Sequence, residues 1–519
     1  MTTTAATPTP TAPTRRLRST TLLWAGAVAV LGVVIGAAGS WIPAAWADEA
    51  ATMSGVRRSI PALWHMAHNV DGVHSFYYLL LHLWFEVVPY SPFWLRMPSA
   101  LATGLAAGLV VLLVHRLAGL RPAVAAGIVY CLLPRVTFSA IEGRSNALTA
   151  AVAVALTLLL VIAVSKTVER RGVAWAWWAA YSGLAIAGGV LFVYLSLILV
   201  AHAVTLALWQ VRRLVGRRSP SVVRPALFWL GSVVLAGAAL LPFMKTVSGQ
   251  TAQLYWMGPL VIGPGLVRRV VVDQWFLGTG QWAWVPFVLM GLGIIATLAM
   301  PRLRSRIPAI EVAVPVVVLP TLIVVAVSVL VRPFYDPRYF TFCTPFVAIL
   351  LGLALTAVPW RTVTAVALVA IAAFVSPIYL AQRTPTAKDD STWNVAAALI
   401  TAERAKEPAG TVDAVYYGPL PSHTNRTTEF VASSYPEAFA GMRDLTLRRD
   451  AISIGQLWAE RYTTADPLPS TEGVDRVWFV GEPTPDQPRI PEEQLAAQGW
   501  HIEKQWSESA FSIIVFAKD

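Results

Sequence analysis

Residues 48–101 read DEAATMSGVRRSIPALWHMAHNVDGVHSFYYLLLHLWFEVVPYSPFWLRMPSAL, and they lie between two apolar runs long enough to cross a membrane. The first run covers residues 20–46 and ends just before the acidic pair Asp48-Glu49, and the second begins near Ser99. The stretch between the runs combines acids, four histidines and many aromatic side chains. A carboxylate pair just outside a bilayer is a suitable place for chemistry on a membrane-bound substrate.

The composition is that of a membrane protein. Of the 519 residues, 56% are hydrophobic and only 13% are charged, and the mean hydropathy is +0.59. Soluble proteins carry roughly 25% charged residues. The two cysteines, Cys131 and Cys343, lie in or beside apolar runs and imply no disulfide framework. The formal charge of +11 is not clustered on a polar segment, so we expect no nucleic-acid partner.

Eleven apolar runs are long enough for transmembrane helices, at roughly 20 residues per span. We predict these helices near 20–45, 97–115, 122–140, 146–165, 173–190, 191–211, 225–245, 284–300, 309–331, 339–358 and 361–381. Residues 1–19 are rich in Thr, Pro and Ala and are predicted to form a disordered cytoplasmic N-terminus. Ala45-Trp46-Ala47 imitates a signal-peptidase site, but the length of the run before it favours an uncleaved span.

Charge gives the predicted orientation. With the N-terminus inside, every cytoplasmic connection is basic, as the positive-inside rule requires. These connections contain Arg116, Arg121, Lys166, Arg170, Arg171, Arg212, Arg213, Arg217, Arg218, Arg224, Arg302, Arg304, Arg306 and Arg361. Seven of the nine acids before residue 383 then lie outside, together with the loop 46–96. We predict a multi-pass protein of a bacterial plasma membrane.

A second domain is predicted after Gln382. Up to that residue the chain has 27 Lys and Arg against 9 Asp and Glu, whereas residues 383–519 have 13 against 20. In that tail, 389–405 reads as an amphipathic helix, 412–418, 475–481 and 512–518 read as strands, and a helix is predicted near 491–500. The predicted architecture is therefore a mostly α membrane domain over 20–382 and a soluble extracytoplasmic α/β domain over 383–519.

Asp48 is the candidate general base, since the preceding apolar run would hold it near the membrane surface. An alternative interpretation makes Asp48 the N-cap of the following helix, and the two interpretations are compatible. Glu49 is interpreted either as a second polar contact for a substrate or as an ordinary first-turn acid.

Four predicted outside segments concentrate polar residues at the membrane face, where charged groups usually line a cavity. Guanidinium groups match phosphate oxygens, so Arg338 and Arg144 are candidates for phosphate recognition, with Lys245 as a further cation. Arg268 and Arg269 fit either a substrate or lipid headgroups. The predicted substrate-binding residues are Glu49, Asp71, His74, Glu142, Arg144, Lys245, Gln253, Trp256, Tyr335 and Arg338.

The histidines raise the alternative of a metal site. His65, His68 and Asp71 would share one face of a helix, with His74 close by. They match no recognised zinc spacing, so we predict no metal ligands.

In order and topology, these motifs resemble the GT-C superfamily of polytopic glycosyltransferases. The resemblance is greatest to the branch of protein O-mannosyltransferases and lipid A aminoarabinose transferases, that is, to glycosyltransferase family 39. The residues that carry it are Asp48-Glu49, Asp71-Gly72-Val73-His74-Ser75-Phe76-Tyr77-Tyr78, Arg96-Met97-Pro98-Ser99-Ala100, Glu142-Gly143-Arg144-Ser145-Asn146-Ala147-Leu148 and Arg338-Tyr339. The chain departs from the family pattern at Ser75-Phe76, where two prolines are usual, and at Asn146, where an aromatic is usual.

The resemblance implies a sugar donor linked to a polyprenyl phosphate. Beyond this donor we predict no cofactor and no divalent metal. By carry-over, Asp48 would deprotonate an acceptor hydroxyl, whose oxygen would attack and invert the anomeric carbon. Arg338, with Arg144 or Lys245, would hold the departing lipid phosphate. Mannose is the favoured sugar and arabinose the next, and the expected acceptor is a glycolipid, glycan or protein of the cell envelope.

Two other functions fit the composition. A transporter or flippase of lipid-linked sugars would also need many spans, although such proteins place polar groups at the bilayer midplane and in repeated halves. A receptor or assembly module on a membrane anchor would need far fewer than eleven spans.

Overall fold

The computed structural model describes residues 19–172, 174–216, 222–254, 257–420, 426–462, 466–481, 490–508 and 511–518. The predicted disordered segment 1–19 lies outside these residues except for Ser19. By their internal contacts the residues form two units. The membrane unit consists of Met1–Ser40 and Phe93–Ala381, and the α/β unit consists of Trp41–Pro92 and Gln382–Asp519.

Helices make up most of the described chain. In chain order they are α1 (Ser19–Ala37), α2 (Ala47–Val56), α3 (Ile60–Asn69), α4 (Ser75–Phe85), α5 (Pro92–Ala118), α6 (Leu120–Leu132), α7 (Pro134–Ser139), α8 (Asn146–Val168), α9 (Ala174–Leu191), α10 (Leu197–Gly216), α11 (Val223–Gly249), α12 (Pro264–Arg268), α13 (Trp284–Ala299), α14 (Ile307–Leu330), α15 (Thr344–Leu355), α16 (Arg361–Ala381), α17 (Trp393–Arg404), α18 (Glu429–Ser434) and α19 (Ile490–Ala496).

The described residues include nine helices that are long and apolar enough to cross a membrane. They cover Ser19–Ala37, Pro92–Ala118, Asn146–Val168, Val193–Val215, Val223–Gly249, Gly280–Ala299, Pro301–Leu330, Pro337–Leu355 and Arg361–Ala381. The shorter helix α6 and the Trp-rich helix α9 occupy the other two predicted positions. Each of the eleven predicted runs therefore lies on a helix, and the chain is a multi-pass membrane protein.

Two predicted boundaries are wrong. The first helix ends at Ala37, about two turns short of the expected residue 45, because residues 38–46 are not helical. The span predicted at 122–140 ends at Leu132, because Leu133 takes an extended conformation with ψ 127°. Pro134 explains that break, since a proline disfavours the helical conformation of the residue before it. A new short helix, α7, begins at the proline.

Small residues let α1 and α5 pack closely in the membrane unit. A Cβ atom on Gly104 would come within 2.5 Å of the Ala29 carbonyl oxygen, and one on Gly32 would come within 2.9 Å of the Gly104 Cα. Such a close approach of two backbones is the usual packing of apolar helices that lack a hydrophobic driving force between them.

A mixed sheet forms the centre of the α/β unit. Its strands are β1 (Asp413–Tyr417), β2 (Arg443–Asp444), β5 (Arg476–Gly481), β6 (Trp500–Glu508) and β7 (Phe511–Lys518), and they pair in the order β2-β1-β5-β7-β6. The strand β1 is parallel to β2 and to β5, whereas β7 is antiparallel to β5 and to β6. A separate hairpin joins β3 (Leu447–Arg449) to β4 (Glu460–Arg461).

The main elements of this sheet unit agree with the sequence patterns. The predicted strands correspond to β1, β5 and β7, and the predicted helices to α17 and α19. The strand β6 is missed, although Trp500, Ile502 and Trp506 alternate along it with polar residues. The alternation is interrupted by Lys504, and the pairing of β6 with β7 has a register irregularity between Ile502 and Lys504.

The loop that follows α1 folds with the C-terminal region. The sequence predicts residues 46–96 as part of the membrane domain, but Trp41–Pro92 group with Gln382–Asp519. The Ser54 hydroxyl donates to the Leu457 carbonyl oxygen at 2.5 Å, and the Tyr90 hydroxyl donates to the Ser434 carbonyl oxygen at 2.5 Å. The buried Arg58 side chain adds bonds to the carbonyl oxygens of Ala451, Gln456 and Leu457.

Candidate functional site

Asp48 and Glu49 lie in the first turn of α2, where the helix dipole favours negative charge. The N-cap position belongs to Trp46, so the interpretation of Asp48 as the capping residue is wrong. Asp48 does not directly follow the first span either, because α1 ends ten residues before α2 begins. Asp48 is half-buried, and the Thr52 hydroxyl donates to its carbonyl oxygen at 3.1 Å. A short helix therefore carries a partly accessible carboxylate.

Glu49 differs from its neighbour in being fully buried. Its Oε1 atom lies 3.5 Å from Nζ of Lys388, which is equally buried. The sequence predicts Glu49 as a substrate contact or a first-turn acid, and neither interpretation includes Lys388. The structure thus gives this carboxylate a partner that comes from the segment after the last membrane helix.

The structure brings Asp71 and His74 together within the α/β unit. Asp71 has a left-handed backbone conformation with φ 54°, which an aspartate tolerates better than most residues. The Tyr78 hydroxyl donates to Asp71 Oδ2, and Asp71 Oδ1 lies 3.9 Å from His74 Nε2. The three polar members of this motif therefore form one local network.

In the membrane unit, Glu142 and Arg144 occupy the tight turn between α7 and α8. The Ser99 hydroxyl of α5 lies 2.6 Å from the Glu142 carbonyl oxygen and 3.2 Å from that of Arg144. The Asn146 amide donates to Glu142 Oε2 at 3.3 Å. Between the two charged residues only a glycine fits, because a Cβ on Gly143 would come within 2.7 Å of Leu95. Both charged side chains are buried by this packing.

Arg338 is held by its own turn. The Asp336 carboxylate accepts the Arg338 backbone N–H at 3.0 Å and its Nε–H at 3.3 Å. An aspartate before a proline commonly caps a helical turn in this way, and here the short helix is Pro337–Cys343. The guanidinium is thereby fixed at the start of a membrane helix, with about a fifth of its side chain exposed.

Tyr335 lies beside a second arginine. The Arg269 guanidinium donates to the Tyr335 carbonyl oxygen at 3.2 Å and lies 5.3 Å from the centre of its ring. The Tyr335 hydroxyl donates to Gln274 Oε1 at 2.8 Å. Burial raises the pKa of Tyr335, so the phenol stays a neutral hydrogen-bond donor at physiological pH.

Arg135 is a functional candidate that the sequence analysis misses. Its side chain is about 95% buried, and one Nη atom donates to the Asp273 carbonyl oxygen. Burial lowers the pKa of Arg135, and the Arg338 charge lowers it further, whereas Glu142, Asp336 and Asp273 favour the cation. Among the described residues its buried Nε has no hydrogen-bond partner. Arg135 therefore connects the electrostatics of the Glu142 turn with those of the Asp336–Arg338 turn.

We expect Arg135→Leu to lower the free energy of unfolding by about 1–3 kcal/mol, because it leaves the Asp273 carbonyl oxygen without this donor in a buried site. Chemical unfolding in detergent measures the change. The matched control is Arg268→Leu at an exposed arginine, where a change within about 0.5 kcal/mol is expected. Equal stabilities of the two variants would contradict the assignment.

The other predicted residues lie elsewhere in the chain. Lys245 is exposed near the end of α11, and Gln253 is half-buried in a short 3₁₀ helix at Thr251–Leu254. Trp256 lies outside the described residues. Asp48, Glu49, Asp71 and His74 belong to the α/β unit, whereas Glu142, Arg144, Lys245, Gln253, Tyr335 and Arg338 belong to the membrane unit.

In the part of the chain that the structure describes, no group of three or more His, Cys, Asp or Glu residues is placed to hold a metal ion. His68, one of the histidines weighed as a ligand, instead uses Nδ1 to contact the Trp64 carbonyl oxygen of its own helix at 2.8 Å.

Two solved structures of ArnT from Cupriavidus metallidurans, a lipid A aminoarabinose transferase, are similar to this chain along its length. The structure bound to undecaprenyl phosphate has 13% identity and a TM-score of 0.54, and it covers 95% of this chain and 98% of its own. The apo structure has 12% identity and a TM-score of 0.57, and it covers 96% and 98%.

No protein-family model matches the sequence, and no curated protein matches it either. The structural match is therefore informative about the fold, and it includes both the helical membrane unit and the α/β unit. It agrees with the resemblance carried by the sequence motifs. The chain shares the fold of the two ArnT structures.

Proposed function

We propose that the chain is an inverting glycosyltransferase that moves a sugar from a polyprenyl-phosphate donor to a hydroxyl group on the outer face of the membrane. The observation that carries the proposal is the fold shared over 95% of the chain with ArnT, whose structure holds undecaprenyl phosphate. The presence of a half-buried carboxylate at a helix start and of a fixed arginine in the other unit supports the same chemistry.

Asp48 is the proposed base. Its carboxylate takes the proton of the acceptor hydroxyl while the hydroxyl oxygen forms a bond to the anomeric carbon. The bond between that carbon and the phosphate oxygen breaks, and its electron pair leaves with the phosphate. Attack from the opposite face inverts the anomeric configuration. Partial burial suits this role, because water would hydrate a fully exposed carboxylate and make it a weaker base.

Arg338 is the proposed phosphate ligand. A phosphodiester carries one negative charge, and the departing lipid phosphate gains a second as the bond breaks. A guanidinium fixed in advance by Asp336 stabilises this added charge more than it stabilises the bound donor, which is the condition for catalysis. The positive charge of Arg338 lowers the pKa of Arg135, so the two guanidinium groups repel each other.

Mannose is our proposed sugar and arabinose the next candidate, with a glycolipid, glycan or protein of the bacterial cell envelope as acceptor. Reconstituted protein is given tritiated polyprenyl-phosphate mannose or arabinose together with an envelope lipid extract. Transfer releases one polyprenyl phosphate for each labelled product. Label that crosses the bilayer without a new glycosidic bond would support the transporter instead.

We predict that residue 472, in the α/β unit, faces the outside of the cell. The thiol of a Glu472→Cys variant should react with a membrane-impermeant maleimide in intact cells, because Glu472 is exposed. The matched control is Arg304→Cys at an exposed residue of a predicted cytoplasmic connection, which should react only after lysis. Cys131 and Cys343 are buried and give little background. The reverse labelling pattern would contradict the orientation.

A further inference from the structure

The ion pair between Glu49 and Lys388 has no role in the chemistry proposed above. Both side chains are fully buried, Glu49 Oε1 lies 3.5 Å from Lys388 Nζ, and the ammonium lies 5.6 Å from the centre of the Trp46 ring. Burying two charges is expensive, and an apolar pair of similar volume often stabilises a fold as well or better. A gain in folding stability therefore does not explain why this buried ion pair is present.

The backbone around the pair is tied together at several points. The Ala44 N–H donates to the Pro385 carbonyl oxygen at 2.8 Å, and the Ser391 hydroxyl donates to the Ala45 carbonyl oxygen at 2.6 Å. On another side, the Ala45 N–H donates to the Tyr435 hydroxyl at 2.9 Å. The approach to α2 is thus fixed by the segment that contains Lys388 and by the region around α18.

Lys388 itself sits in an unusual backbone. The two residues after it, Asp389 and Asp390, both have left-handed conformations, with φ 54° and 51°. Residues other than glycine rarely adopt this conformation, and it persists only where the surrounding structure imposes it. The turn directs the lysine to the start of α2 and leaves it little freedom to follow a displaced partner.

Helix geometry connects the pair with Asp48. Successive residues of an α-helix are separated by about 100° around the axis. A contact that fixes Glu49 on one side of α2 therefore also fixes the direction in which Asp48 presents its carboxylate. A rotation of this short helix would swing Asp48 away from its position, and the bond to Lys388 opposes such a rotation.

We propose that Lys388 is a positioning residue for Asp48, acting through its buried ion pair with Glu49. The inference rests on the proposed function, since it assigns to Lys388 the alignment of the base. It also revises the expected role of Glu49, which orients α2 from within the fold rather than contacting substrate.

Lys388→Met tests the proposal through kcat. A displacement of a catalytic group by 1 Å can cost about 10²-fold, so we expect kcat to fall about 10- to 100-fold while the KM for the donor stays within about twofold. Lys388→Arg, which keeps the charge, should recover part of the loss. The matched control is Lys406→Met, which breaks the pair of the exposed Lys406 with Glu403 in the same unit and should keep the wild-type kcat.

A double variant separates positioning from folding. Glu49→Leu with Lys388→Met replaces the ion pair by an apolar contact, so its unfolding midpoint should equal or exceed that of the wild type. Its kcat should stay at least about tenfold low, since an apolar contact is not directional. A wild-type kcat in both Lys388→Met and the double variant overturns the proposal. A kcat that falls only in variants with a lowered unfolding midpoint overturns it too.

A readout without turnover distinguishes this inference from the proposed function. The thiol of an Asp48→Cys variant is labelled with a maleimide, with or without Lys388→Met. A changed labelling rate, by about threefold or more, supports positioning even if no lipid-linked sugar is transferred. An unchanged rate with Lys388→Met, equal to that with Lys406→Met, overturns the positioning role even if the wild type is an active transferase.

Discussion

Replacing Asp48 with asparagine should lower kcat about 10²- to 10⁴-fold, the usual contribution of a general base. The amide has nearly the same shape as the carboxylate but does not accept a proton at neutral pH. The side chain is half-buried at the start of α2, and asparagine fills the same volume, so the fold should survive. The measurement is the transfer rate at saturating donor and acceptor.

The control for this substitution is Glu86→Gln, which removes an exposed acid from the same loop. It should keep the wild-type rate, and both variants should elute as folded protein in detergent. Asp48→Asn should still bind a polyprenyl phosphate, since the proposed phosphate ligand Arg338 is unchanged in this variant. Unchanged turnover in this variant would remove the proposed mechanism.

Replacing Arg338 with glutamine should lower kcat about 10²- to 10³-fold, as the loss of a group that stabilises developing negative charge commonly does. The KM for the donor should rise less than kcat falls, because the phosphate gains its second charge only as the bond breaks. Asp336 still accepts the backbone N–H of residue 338, so the turn should persist. Arg338→Lys keeps the charge without the planar fork and should lose less.

Arg268→Gln is the matched control for Arg338, because it removes an exposed guanidinium from another predicted outside segment of the membrane unit. It should leave kcat unchanged at physiological ionic strength. If Arg338→Gln raises KM and leaves kcat unchanged, Arg338 binds the donor without favouring the transition state. A wild-type rate in Arg338→Gln would refute the assignment outright.

Much of the membrane fold is predictable because a bilayer demands about 20 apolar residues per crossing. That rule puts a helix on each of the eleven runs, but it does not give their ends. The break at Leu133 depends on a single residue, Pro134. The predicted span 122–140 contains Arg135, so the sequence does not single out this arginine as a functional residue. Pro134, directly before Arg135, is the residue that indicates the end of the helix at this point.

Other features depend on contacts between distant parts of the chain. Nothing near Glu49 in the sequence indicates that Lys388 is its partner, and no local pattern shows that Arg58 bonds to residues 451–457. By contrast, the turn of Asp336 and Arg338 is local, since an aspartate before a proline is a familiar capping pattern. The sequence of this chain therefore indicates local contacts such as this cap, but it does not indicate that the first loop pairs with the tail.

That pairing has a consequence for biosynthesis. About 290 residues of chain separate Pro92 from Gln382, and a ribosome adds about 5–20 residues per second. The first loop therefore waits roughly 15 to 60 s after its synthesis for Lys388, the partner of Glu49, and longer for the partners of Arg58 at residues 451–457. During that interval Glu49 lacks the buried cation that compensates it in the folded chain, so α2 takes its final position only after the tail is made.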